Sequence, residues 1–110
     1  MCKSVKAIAI QMCVENMFPL DVNSIKWQLK SSRITEEKDV YIIFIDCELR
    51  RSFFDILRSF ILKETIGLGC FSSYEFVFDE NKTVVEIEAG IRFQLLESLG
   101  KFSKVLKKNE

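Results

Sequence analysis

The chain has 110 residues, 48% of them apolar, with ten phenylalanines, one tryptophan and no histidine. That length holds one hydrophobic core and not two, and so apolar a composition excludes a disordered chain. Sixteen basic residues balance sixteen acidic ones, so no global field draws the chain toward nucleic acid, an anionic membrane or an acidic substrate.

Val5, Ile8, Ala9, Met12 and Cys13 share one helical face, which predicts a first helix from Ser4 to Asn16. The alternation of Ile8, Ile10, Met12 and Val14 leaves a strand open as the alternative. This apolar run is broken by Gln11 and lacks a small-residue cleavage site, unlike a secretory signal. Pro19 restricts Phe18 and ends the element.

Ile25, Trp27 and Leu29 then alternate with Lys26, Gln28 and Lys30, predicting a half-exposed strand that runs toward Ile34. Thr35–Asp39 reads as a charged turn. Val40–Ile45 is apolar throughout, as in a central strand covered on both faces. Asp46 is placed to cap a second helix. Leu49, Phe53, Ile56, Leu57, Phe60 and Ile61 form the clearest helical stripe of the chain, and Gly67 and Gly69 end it.

Tyr74, Phe76 and Phe78, and after a polar break Thr83, Val85 and Ile87, alternate with polar or short residues. That pattern predicts a second hairpin whose outer face carries Glu75, Asp79, Glu86 and Glu88. A last helix from Ile91 to Lys107 would bury Leu95, Leu96, Leu99, Phe102 and Leu106. Lys101, Lys104, Lys107 and Lys108 crowd its end, where the helix dipole favours cations. The predicted order is helix, strand, strand, helix, strand, strand, helix. It describes a single α+β domain over residues 1–110, a four-stranded antiparallel sheet with helices on one face.

Without histidine the chain lacks the commonest general base and the commonest zinc ligand. Cys2, Cys13, Cys47 and Cys70 are scattered with no C-x-x-C pair. They read as reduced thiols of an intracellular, cytosol-like compartment rather than as zinc ligands. Cys47, at the expected start of a helix, reads as a small core residue. Gly67-Leu68-Gly69 follows a helix and precedes a strand, the reverse of a phosphate loop. Lys26, Lys30 and Arg33, with Gln28 and Ser32 between them, share one side of the first hairpin and could touch phosphates. A solvated strand face is the simpler account. Arg50, Arg51 and Arg58 fall on the polar side of the middle helix, and Trp27 shares its face with Ile25 and Leu29.

From Asp46 to Phe102 the chain resembles the LAGLIDADG homing-endonuclease domain. ELRRSFFDILRSFILKETIGLGCF is similar to that family's second helix with its G-x-G exit, and VVEIEAGIRFQLLESLGKF to its last strand and helix. The resemblance implies a first helix, IAIQMCVENMF, at a dimer seam, with Glu15 at the acidic metal-ligand position. Asn16 stands where that family has glycine and Ile10 where it has a small packing residue, so the implied relative has lost cleavage. The layout also resembles the small homodimeric chaperones of type III secretion, which have a third strand before the middle helix. No third strand is legible here.

These readings favour a non-catalytic protein-interaction module: a homodimer or a small subunit of a larger assembly, adaptor or chaperone-like, with no cofactor, metal or membrane. Val5, Ile8, Met12 and Trp27 are the expected contact residues. The alternative is a LAGLIDADG-like nucleic-acid binder using Lys26, Gln28, Lys30 and Arg33, disfavoured by the acidic second hairpin.

Overall fold

The computed structural model describes residues 4–23, 25–49 and 71–108. Helix α1, Val5–Met17, is followed by the strands β1, Leu20–Val22, β2, Ile25–Glu37, β3, Val40–Leu49, and β4, Phe71–Asp79. Helix α2, Val84–Lys108, comes last. The strands form one antiparallel sheet in the order β1-β2-β3-β4. The expected α+β class and four-stranded antiparallel sheet are present. The predicted middle helix, with Arg50, Arg51, Arg58 and the Gly67–Gly69 turn, lies outside the described residues.

The first element is a helix, as preferred. Ser4 accepts a hydrogen bond from the Ala7 amide at 3.1 Å, an N-cap that satisfies one of the free donors of the first turn. Ala7, Ile10, Val14 and Met17 point into the core. The chain then passes a cis Phe18–Pro19 peptide and pairs Leu20 with Trp27 and Val22 with Ile25. Sequence did not show this short β1: three residues after a proline carry no period to read.

β2 runs through the predicted charged turn. Thr35, Glu36 and Glu37 pair with Ile42, Tyr41 and Val40, so the turn narrows to Lys38 and Asp39. Asp39 has φ 65°, a left-handed conformation that aspartate tolerates better than most residues. Between Leu29 and Ser31 the β2–β3 register shifts, leaving Lys30 as the extra residue of a bulge. The bulge reverses the alternation, so Trp27 and Ile34 both face inward although seven residues separate them.

β3 continues to Leu49, so Asp46 is a strand residue and not a helix cap. Tyr41, Ile43, Ile45 and Cys47 are buried, while Ile42, Phe44 and Asp46 alternate on the other, half-buried face. The core lies between the inner sheet face and the two described helices. Ile87, Ile91, Leu95 and Leu99 of α2 and Ala7, Ile10 and Val14 of α1 meet Trp27, Ile43, Ile45 and Phe76 there.

The second predicted hairpin is corrected by α2. Thr83–Glu88 is helical from Val84, although its alternation fits a strand equally well. Thr83 and Glu86 form a capping box: the Glu86 amide donates to Thr83 Oγ1 at 3.1 Å, and Glu86 Oε1 accepts from the Thr83 hydroxyl at 3.1 Å and its amide at 3.5 Å. An Asx turn precedes it, with the Asn81 amide donating to Asp79 Oδ1 at 2.8 Å. Local side-chain bonds to the backbone therefore decide the state of a segment whose apolar period is ambiguous.

Candidate functional site

α1 is apolar on both faces, and only one of them is used by the fold. Opposite the buried Ala7, Ile10 and Val14, Val5 is 85%, Ile8 48% and Met12 56% exposed. α2 lies beside it and runs the same way. Lys6 of α1 donates to the Glu80 carbonyl just before α2, Cys13 faces Glu88 and Arg92, and Asn23 Nδ2 donates to the Gly100 carbonyl at 3.1 Å. The outer side of α2 adds Val85 at 74%, Phe93 at 69% and Leu96 at 41% exposure. Six of the seven exposed large apolar side chains among the described residues thus belong to the outer layer of two parallel helices. An apolar layer of this kind marks an interaction surface more often than a solvent face.

Of the expected contact residues, Val5, Ile8 and Met12 lie together on that layer. Trp27 does not: it is fully buried, stacks obliquely on Phe102 at 5.5 Å, and donates its Nε1 hydrogen to Ser103 Oγ at 3.2 Å. It is a core residue, and the expectation that it serves a contact is corrected. Leu96, expected in the core, belongs instead to the exposed layer. Val85 and Phe93 were missed: Val85 read as a strand position, and Phe93 fell outside the stripe read in the last helix.

Lys26, Gln28, Lys30 and Arg33 sit along the other side of β2. The bulge at Lys30 brings Arg33 to the side of Lys26 and turns Ser32 inward, where it accepts from Gln11 of α1. Acidic groups are interleaved with them. Gln28 Nε2 donates to Glu48 at 2.9 Å, and Ser31 donates to Asp46 at 2.9 Å. Hydrogen bonds from Ser73 and then Ser31 hold the Asp46 carboxyl below its usual range. Arg33 covers the Phe44 ring at 4.7 Å to its centroid. Ser31, Ser32, Arg33, Phe44 and Asp46 line a concavity of about 440 Å³.

The acidic hairpin expected to repel phosphate is dismantled. Glu75 stays on β4, but Glu86 caps α2 and Glu88 pairs with Arg92 at 3.2 Å. Glu15 is exposed on α1 and accepts from Gln11 at 3.1 Å. Among the described residues no three cysteine, aspartate or glutamate side chains are gathered as a metal site would need. Cys47 is sealed in β3, where burial pushes its thiol up to about 12. Cys13 is also raised, by partial burial and then by Glu88. No described helix is long and apolar enough to cross a membrane.

No family model, curated protein or solved structure matches this chain.

Proposed function

We propose that this chain is a non-catalytic protein-interaction module, an adaptor or chaperone-like subunit that engages a protein partner through the outer layer of α1 and α2. The observation that carries this reading is the apolar outer face of α1. Val5, Ile8 and Met12 contribute little to the fold yet occupy positions where a solvent-facing helix carries charge. α2, by contrast, dresses part of its outer side with ion pairs, Glu88–Arg92 and Glu97–Lys101. The exposed apolar side chains suit the dry centre of an interface, and the flanking charges suit its rim.

The test is association of the natural chain and an Ile8→Glu, Met12→Glu variant, read by light scattering and by co-purification from the native source. A partner retained by the natural chain and lost from the folded variant is the expected result. A partner protein that co-purifies equally with the natural chain and the variant would sink the proposal.

A second reading, a nucleic-acid-binding module related to the homing endonucleases, draws on the bulge that aligns Lys26, Lys30 and Arg33. Asp46 and Glu48 among those cations weaken it. Titration of duplex and single-stranded nucleic acid at several salt concentrations separates the two. A steep salt slope that falls by about one for each lysine reversed, at Lys26 and Lys30, would favour this second reading.

A further inference from the structure

The two edges of the sheet are treated differently. β1 is three residues long and follows a proline, a blunted edge of the kind that discourages strand addition. β4 is nine residues long and pairs with β3 in unbroken register from Phe71 to Asp79. It contains no lysine, no proline and no bulge, the usual guards of a free edge. No described strand pairs with its outer side.

We propose that β4 is a homodimer seam, at which two copies of this chain add their β4 strands antiparallel about a twofold axis to form one continuous eight-stranded sheet. The sequence of β4 is self-complementary in one register. With Phe76 on the axis, Tyr74 faces the partner's Phe78 and Phe78 the partner's Tyr74 on the inner side of the sheet. Within one copy these rings already form a ladder, Tyr74–Phe76 at 6.1 Å and Phe76–Phe78 at 6.5 Å. Pairing extends the ladder across the axis, and cross-strand aromatic pairs are among the favourable ones.

On the outer side the same register sets Glu75 opposite the partner's Val77 and Ser73 opposite the partner's Asp79. Val77 is 58% exposed in the single chain. Centring the axis on Glu75 would place two carboxylates face to face. Centring it on Tyr74 would set Ser72 against Phe76 and forfeit the aromatic match. The register with Phe76 on the axis avoids both.

Antiparallel addition with inner faces aligned leaves both helix layers on one side of the joined sheet. The seam therefore leaves the α1 and α2 surface free for a different protein, and this inference does not depend on that reading.

The experiment is light scattering across a concentration series for the full natural chain, Val77→Glu, Val77→Lys and Ile8→Glu, with circular dichroism confirming each fold. A dimer is expected for the natural chain. Val77→Glu places a carboxylate against the partner's Glu75 twice per dimer and should weaken it about tenfold. Val77→Lys creates two opposite-charge pairs in the same places and should hold the dimer or tighten it. Adding Glu75→Lys to Val77→Glu should restore association. A monomeric natural chain, equal loss from both Val77 substitutions, or dissociation by Ile8→Glu alone would overturn the seam.

Discussion

Two buried side chains show how narrowly single residues are constrained. Trp27 fills the core beneath both helices, and its one polar atom is met by Ser103, the buried polar side chain of the described core. Removing that acceptor leaves an indole donor without water or partner, the expensive half of a hydrogen bond. Ser103→Ala should cost about 1–3 kcal/mol in denaturant unfolding, with Trp27 emission as the probe. Cys47 makes a prediction in pH. Its folded thiol is raised to about 12, above the ordinary value for an unfolded chain. The unfolded state then binds fewer protons than the native state once pH passes the usual thiol range. Stability should therefore be level below about pH 8 and fall as pH rises toward 12, by about 1 kcal/mol per pH unit in that window. The raised Cys13 and Tyr74 act in the same direction. Unfolding curves at neutral and alkaline pH check the slope, and Cys47→Val should reduce it. Alkylation should reach the half-buried Cys13 well before Cys47.

At the scale of elements, α2 depends on its start and on one close approach. Thr83→Ala removes the capping-box hydroxyl and should destabilise the chain by about 1 kcal/mol, measured by thermal or denaturant unfolding. Gly90 lies over the ring of Phe78, where a β-carbon would come within 2.9 Å of Phe78 Cε1. In an open helix, glycine to alanine gains about 1 kcal/mol, so the two effects oppose each other here. Gly90→Ala should be clearly more stabilising in a Phe78→Ala background than in the natural chain, a coupling that a double-mutant cycle reads directly. An equal effect in both backgrounds would mean that the helix does not press on that ring. The same elements show what sequence carries. β3 and the strand half of the second hairpin were legible because each has one dominant period or an unbroken apolar run, whereas α1 was read as a helix with a strand left open, since its apolar run fits both periods. Thr83–Glu88 was not, since TVVEIE alternates as a strand does. The signal that decides it, threonine followed three residues later by glutamate, lies in capping and not in period. The bulge at Lys30 was equally hidden, because one extra residue in a ladder leaves no mark in composition. Of the residues expected at a contact, Val5, Ile8 and Met12 are exposed on α1, whereas Trp27 is buried. An apolar helix face in sequence does not say which of its residues the sheet will take.

For the whole molecule the question is which apolar surface serves stability and which serves association. The described core takes Ala7, Ile10, Val14 and Met17 from α1 and leaves Val5, Ile8 and Met12 outside. If that division is right, the two sets respond oppositely to charge. A Val5→Lys, Ile8→Glu, Met12→Lys variant loses little buried area, and exposed substitutions usually stay within about 0.5 kcal/mol. Each of the three substitutions should then move the melting temperature by no more than about 2–4 °C, given the shift expected per kcal/mol for a domain of this size. Ile10→Ala, one turn face away, empties a fully buried site and should cost about 2–5 kcal/mol. Calorimetry on the two variants at one protein concentration makes the comparison. A large loss of stability in the charged triple variant would mean that the outer residues belong to the fold after all. The helix layer would then have no surface to offer a partner, and the interaction reading would have to rest on the sheet edge alone.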